Sequence, residues 1–106
     1  MSGIVSVYAT FASAEEAHRI GRRLVEEHHA ACVNILGPCR SVYRWQGNVE
    51  EAEEVAAIFK TTAGNAPLLL ERIAALHSYE VPAAVVWTIS ETCESYRQWV
   101  TSNSGR

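Results

Sequence analysis

The sequence predicts an α+β domain, a ferredoxin-like sandwich in which an antiparallel sheet of four strands carries two helices on one face. Three observations support this fold class. Apolar periodicity gives elements in the order β-α-β-β-α-β, followed by a short C-terminal helix. The 106 residues are the length of one domain, which we place at residues 1–106. Hydrophobic residues make up 48% and charged residues 20%, a globular composition that excludes disordered and fibrous classes.

The first strand and helix are marked by a change in periodicity. Residues 4–11 are β-branched and aromatic without charge, which is typical of a strand. Ser13 and Glu16 have the spacing of a capping box, in which each side chain bonds the backbone of the other residue. Apolar residues then recur at helical spacing, which predicts an amphipathic helix over residues 14–28.

A long hairpin follows the first helix. A strand is predicted over residues 30–45, with a bulge or bend where Gly37-Pro38 interrupts it. A turn at residues 46–48 leads to a return strand over residues 49–62, because Gly and Asn tolerate positive φ. The acidic end of the return strand also suits a helix, but the turn lies between two runs of matching length and favours a strand.

The last third of the chain contains a helix, a strand and a terminal helix. Asn65 and Pro67 open the second helix, which ends near His77. A loop precedes a strand over residues 83–90. A second capping box, Ser95 to Gln98, predicts the start of the terminal helix, and small polar residues 102–106 predict a frayed tail.

Both faces of the predicted sheet carry apolar side chains. Val7 and Phe11 share one face of the first strand and Tyr8 the other, while Trp87 and Val86 lie on opposite faces of the last strand. Two helices cover one face only, and a large exposed apolar patch marks an interaction surface. We therefore expect a second subunit on the other face. The alternative is that the terminal helix folds over it.

Composition and motifs exclude several function classes. The net charge of −3 and pI near 5.8 argue against nucleic-acid binding, and no apolar run is long enough for a membrane span. Cys32, Cys39 and Cys93 form no C-x-x-C pair, which indicates neither a disulfide framework nor a zinc knuckle and favours the cytoplasm. No P-loop, dinucleotide fingerprint or nucleophile elbow is present, so we expect no enzyme.

A set of polar and aromatic residues near the predicted strand ends forms the candidate site. Its members are Trp45, Glu50, Glu54, Lys60, His77, Tyr79 and Glu80. An imidazole and a carboxylate three positions apart, His77 and Glu80, suit copper or zinc, although two ligands alone make a weak site. Each residue also has a structural interpretation: the glutamates as a solvated face, Lys60 as their ion-pair partner, and His77 as a charge at a helix end.

Three segments of the sequence resemble those of a known family. They are A-A-C-V-N-I at residues 30–35; S-V-Y-R-W-Q-G at residues 41–47, followed by Glu50, Glu54 and F-K-T-T at residues 59–62; and H-S-Y-E-V-P at residues 77–82. In this order and spacing they resemble the CutA family of divalent-cation tolerance proteins, over nearly the whole chain from the first strand to Trp99.

The resemblance implies a homotrimer similar to the PII signal proteins, in which the long second and third strands reach neighbouring subunits. Family members are linked to tolerance of copper and other divalent metals, and some bind copper. The residues that match the family's inter-subunit cleft are Tyr43, Trp45, Glu54, Lys60, His77, Tyr79 and Glu80. The implied partners are further copies of the chain and a divalent metal ion, with no nucleic acid and no membrane.

Two departures from the family pattern affect the expected site. Ser78 stands where the family usually has proline, which predicts a looser loop. The bacterial copper pattern of one cysteine and two histidines is represented here by Ala9, Leu76 and His77. One ligand is retained, so we expect Cu(II) or another divalent cation to bind weakly, through His77 and Glu80. The alternative hypothesis is a PII-like sensor or scaffold that holds a small molecule or a partner in the cleft.

Overall fold

The computed structural model describes residues 2–105 and contains an antiparallel sheet of four strands and three helices. The elements follow the predicted order, with boundaries within one or two residues of those expected. They are β1 (Ile4–Phe11), α1 (Ala14–Glu26), β2 (Cys32–Trp45), β3 (Asn48–Thr62), α2 (Ala66–Leu76), β4 (Ala84–Thr88) and α3 (Glu94–Ser102). The acidic stretch before Val55 is part of β3, so the strand prediction is confirmed there.

The sheet has the strand order β2-β3-β1-β4. β2 and β3 form a hairpin whose two-residue turn has positive φ at Gln46 (51°) and Gly47 (85°), as in a type I′ turn. The predicted bulge is confirmed, because the β2–β3 register shifts between Ile35 and Gly37. Gly37 has a φ of 107°, a conformation that favours glycine.

The hairpin extends well beyond the rest of the sheet. The last pair between β1 and β3 joins Phe11 to Val55, whereas β2 and β3 stay paired from there to their turn. Residues 39–54 therefore form a two-stranded ribbon, and no third strand of the described chain pairs with it. We call this ribbon the arm and the remainder of the chain the body. The arm lengthens the molecule, which measures 44 × 26 × 22 Å.

The main core lies between one face of the sheet and the helices α1 and α2. Phe11 and Phe59 are fully buried there, with ring centroids 6.5 Å apart, and Leu24, Leu69 and Ile73 pack in the same cluster. Full burial of a side chain of this size stabilises the fold by about 1.5–3 kcal/mol. The body therefore has a hydrophobic core of its own.

The helix α3 covers one end of the opposite face of the sheet. Val100 packs there with Ile4 and Ala31 in a smaller buried cluster. The register pairs Ser6 with Trp87, which places Trp87 on this same face, and its side chain is 49% exposed. Thus the terminal helix covers part of the second apolar face and leaves another part open.

The ends of α1 and α2 differ in detail from the predicted caps. The Ser13 hydroxyl accepts the Glu16 N–H at 3.1 Å as predicted, but the Glu16 carboxylate accepts from Ala12 and not from Ser13. α1 ends two residues earlier than expected, and His28 takes a φ of 66°. Asn65 occupies the predicted cap position of α2, yet its side-chain amide donates to the His29 carbonyl at 2.6 Å.

Two sequence-based predictions for the C-terminal region are wrong, at least in part. The predicted capping box is wrong: α3 begins at Glu94, and the Gln98 amide donates to the Glu94 carboxylate at 3.2 Å. The prediction of a frayed tail is wrong for residues 102–105. Ser104 is buried and donates to the Val100 carbonyl at 2.6 Å, and the Gly105 N–H donates to the His28 carbonyl at 2.7 Å. Arg106, the last residue of that prediction, lies outside the described residues.

Candidate functional site

A cavity of about 510 Å³ lies where the arm joins the body. Its walls come from the arm, from the end of β1 and from the loop between α2 and β4. Aromatic and acidic side chains dominate the lining: Tyr43, Trp45 and Tyr79, together with Glu50, Glu54 and Glu80. Antiparallel pairing sets Tyr43 opposite Glu50, so the two side chains share one face of the arm. This volume lies within the range of small-molecule sites, about 300–1,000 Å³.

A side-chain hydrogen bond in the cavity joins Tyr79 to Glu54. The Tyr79 hydroxyl donates to Glu54 Oε2 at 2.7 Å, which ties the α2–β4 loop to the base of the arm. Burial raises the pKa of Tyr79, and the hydrogen bond to the Glu54 carboxylate raises it further. The hydroxyl therefore keeps its proton and remains a donor across the physiological pH range.

His77 lies behind this cavity wall, and both of its ring nitrogens have partners in the fold. Nδ1 accepts the Tyr79 N–H at 3.1 Å, so Nε2 carries the proton and donates to the Thr10 carbonyl at 2.7 Å. The ring is buried and stacks on Phe11, with centroids 5.0 Å apart. In this arrangement His77 positions the loop, and neither nitrogen has a lone pair available for a metal ion.

Glu16 anchors the same loop from the start of α1. Its carboxylate accepts the Ser78 N–H at 2.9 Å and the Ala12 N–H at 3.0 Å. Burial alone would raise the pKa of Glu16, but the hydrogen bonds from Ser78 and Ala12 outweigh it and lower the pKa. The Ser78 N–H is a donor that proline lacks. The expected loosening at Ser78 is thus offset by a contact that proline could not make.

Lys60 lies far from the cavity within one chain. Its register partners are Ser6 and Cys32, near the other end of the sheet. Six residues of extended β3 separate it from Glu54, a distance of roughly 20 Å. The structure therefore brings Tyr43, Trp45, Glu54, Tyr79 and Glu80 together and leaves Lys60 apart, and its place in an inter-subunit cleft stays a prediction.

The predicted metal ligands do not form a complete site in one chain. Within residues 2–105, no group of three or more His, Cys, Asp or Glu side chains is arranged to hold a metal ion. Glu80 is exposed and lines the cavity, whereas His77 is buried behind it. A metal at these two residues stays a prediction. Within the same span, no helix is long and apolar enough to cross a membrane.

Some residues of the site were absent from the sequence-based set. Glu16 was predicted as a helix cap, and its second role depends on Ser78, which is 62 positions away in the chain. Arg44 also lines the cavity. It lies between Tyr43 and Trp45 in the sequence, and strand alternation alone would place it on the opposite face from them. Thr10 contributes a carbonyl to His77, and backbone groups carry no signature in the sequence.

Relatives of known structure share this fold over nearly their whole length. CutA from Xylella fastidiosa is 32% identical, with a TM-score of 0.93, and the match covers 97% of this chain and 99% of that one. The CutA of Archaeoglobus fulgidus, described as a periplasmic divalent cation tolerance protein, is 36% identical, with a TM-score of 0.88 over 92% and 94% of the two chains. The cytoplasmic location of the present chain stays a prediction.

Sequence comparison gives the same family. The divalent-cation tolerance protein CutA of Thermus thermophilus is 46% identical over 99 residues, which cover 93% of this chain and 96% of that protein. The family model described as CutA1 divalent ion tolerance protein matches residues 5–103. The predicted resemblance is therefore confirmed, and the chain belongs to the CutA1 family of divalent ion tolerance proteins.

Proposed function

We propose that this protein acts in the response to divalent metal ions as a homotrimer that binds ligands and catalyses no reaction. Membership of the CutA1 family supports the link to metal tolerance. One observation supports the proposed trimer. Trp87 and Val85 lie about half exposed on the sheet face that α3 covers only in part. Each Å² of such apolar surface covered by a neighbour stabilises an assembly by roughly 25 cal/mol.

A pair of substitutions tests the assembly. Trp87→Glu places a charge on the open face, and desolvating that charge in an interface costs several kcal/mol. Leu68→Glu is the matched control, because Leu68 is also about half exposed but lies on α2, on the other side of the sheet. Sedimentation velocity at micromolar protein should give trimer for the wild type and the control, and monomer for Trp87→Glu. A Trp87→Glu variant that remains trimeric would contradict the proposal.

Metal binding at His77 and Glu80 is the second part of the proposal. Imidazole and carboxylate donors suit Cu(II). An incoming ion must displace the Tyr79 N–H from Nδ1 of His77, so the affinity is low. Glu80, which is exposed, offers its carboxylate without such a cost.

Calorimetric titration with Cu(II) tests this site. We expect weaker binding in His77→Ala and in Glu80→Gln, and an unchanged isotherm in His18→Ala, which removes an exposed histidine from α1. Glu80→Gln alters an exposed side chain and so remains informative if His77→Ala fails to fold. Identical isotherms for the wild type and Glu80→Gln would overturn the assignment.

A PII-like sensor that holds a small molecule is the second candidate function. The cavity of about 510 Å³ between the arm and the body favours it. A thermal-shift screen across nucleotides, organic anions, organic cations and metals separates the candidates, because a true ligand raises the unfolding midpoint. A screen in which metals alone raise the midpoint would reject the sensor.

A further inference from the structure

We infer that the cavity at the base of the arm binds an organic cation, a protonated amine carried on an apolar body. The inference rests on the second candidate function, for which it names the class of ligand. The combination of three aromatic rings with three carboxylates around one cavity is what points to this chemistry. A cation attracts the face of an aromatic ring, and its N–H groups donate to carboxylates.

The balance of charge in the cavity selects cations over anions. Among the described residues of one chain, Glu50, Glu54 and Glu80 line it, and Arg44 is the one basic residue in the lining. The lining therefore carries an excess of negative charge. A phosphate or carboxylate ligand would meet repulsion in this partly desolvated space, where charges interact more strongly than in water. Nucleotides and organic acids are disfavoured for this reason.

Glu54 is the residue that we expect to bind the ammonium group of such a ligand. Its side chain is 9% exposed, and Oε2 is held by the Tyr79 hydroxyl. Oε1 has no hydrogen-bond partner among residues 2–105. Every polar side-chain atom in that span that is sealed from solvent has a partner, so Oε1 is open to solvent. Oε1 is thus an acceptor left open beside the cavity. An ammonium group that replaces the solvent at Oε1 would make a charge-assisted hydrogen bond with the carboxylate.

The aromatic residues supply the rest of the recognition. Tyr43 and Trp45 alternate along β2 on the face that carries Glu50 and Glu54 of β3. Tyr79 faces the same space from the loop and is fixed by its bond to Glu54. Aromatic rings and carboxylates around one cavity suit a cation with an apolar body. They suit a bare metal ion poorly, since no three ligating side chains converge among the described residues.

Three probes of similar size and different charge test the inference: benzylammonium, benzyl alcohol and benzoate. With the full chain at neutral pH, benzylammonium should raise the unfolding midpoint and bind in calorimetry, while benzyl alcohol and benzoate should not. Glu54→Gln should weaken benzylammonium about tenfold, because it removes a charge-assisted hydrogen bond. The control is Glu53→Gln, an exposed neighbour on the opposite face of β3, and it should change the affinity less than about twofold because its charge is screened by solvent.

Equal shifts from benzoate and benzylammonium, equal losses in the two variants, or no binding of any probe would overturn the inference. Light scattering on the same samples separates this failure from that of the trimer. A protein of trimer mass that binds no probe overturns the organic-cation site and leaves the assembly standing. A monomer that binds benzylammonium contradicts the assembly and supports the site, because every lining residue named here belongs to one chain.

Discussion

The body and the arm differ in how their side chains are buried, although β2 and β3 run through both. In the body, Phe11 and Phe59 are fully buried between the sheet and two helices. In the arm, Val42 and Val49 are each 63% exposed, and within residues 2–105 no third strand pairs with the ribbon. A two-stranded hairpin is marginal by itself in water. The body therefore contains a packed core, whereas the arm leaves its apolar side chains open to solvent.

The cavity lies at the boundary between these two regions. Tyr79 belongs to the body and bonds Glu54 at the base of the arm, whereas Tyr43, Trp45 and Glu50 lie on the exposed part of the arm. A site of this kind is sensitive to any movement of the arm. Substitutions in the core of the body should therefore change the free energy of unfolding, and substitutions in the arm should change ligand binding.

The largest expected effect comes from the core of the body. Phe11→Ala should lower the free energy of unfolding by about 3–5 kcal/mol, because it removes a fully buried ring and leaves a cavity beside Phe59 and His77. Urea unfolding followed by circular dichroism measures this. Phe11→Leu keeps most of the volume and should cost less. A loss under about 1 kcal/mol for the alanine variant would contradict a self-sufficient core.

Glu16→Gln should give the next largest loss of stability, about 2 kcal/mol, because two backbone donors lose a charged acceptor. Glu15→Gln is the control, since Glu15 is exposed on the same helix turn and pairs only with exposed Arg19. The same urea experiment compares the two variants. Equal losses would show that the buried anchor of the α2–β4 loop contributes no more than a surface charge.

Acid titration tests the ion pairs of the body against that of the arm. Hydrogen bonds from Arg72 and Arg23 lower the pKa of Glu27 from 4.5 to about 2. The stability this gives is present in full above the unfolded value and is lost as the pH falls through the folded value. The pH dependence of the unfolding free energy below pH 4.5 should therefore flatten in Glu27→Gln.

The matched variant in the arm is Glu51→Gln. Its partner, Arg40, lies 3.6 Å away, and both side chains are exposed. An exposed pair of this kind contributes little, so this variant should keep the pH dependence of the wild type. If both variants flattened the dependence equally, the contrast between the regions would fail.

The smallest expected effect is a gain. His28 has a φ of 66° after the end of α1, and glycine adopts this conformation without strain. His28→Gly should raise the free energy of unfolding by about 0.5–1 kcal/mol. His28→Ala removes the same imidazole and keeps the strain, so it should give no gain. A gain of equal size in both variants would assign the effect to the side chain.

Much of the fold could be predicted because its signals are local. The β-branched run of β1, Gly37 at the bulge and Gly47 at the turn each act through neighbouring residues. The errors arise where distant groups compete with local ones. Ser104 was expected to fray, but Gly105 reaches the His28 carbonyl, and that acceptor is invisible in a local window.

The candidate site was predictable in its membership and less so in its chemistry. Trp45, Glu54 and Tyr79 were grouped by their position near predicted strand ends, Tyr43 was added through the family resemblance, and the structure brings all four to one cavity. Spacing along the chain does not reveal that Glu54 accepts from Tyr79, 25 positions later. Nor does it reveal that both ring nitrogens of His77 have partners within the fold, so that a metal ion at His77 must displace one of them.

The mass of the assembled protein in solution tests the central claim most directly. Light scattering coupled to size exclusion, across a range of micromolar concentrations, should give a single species near three times the 11.7 kDa of the chain. A species that stays at 11.7 kDa throughout that range, with Trp87 open to solvent, would contradict the claim that the uncovered sheet face and the arm require neighbouring copies.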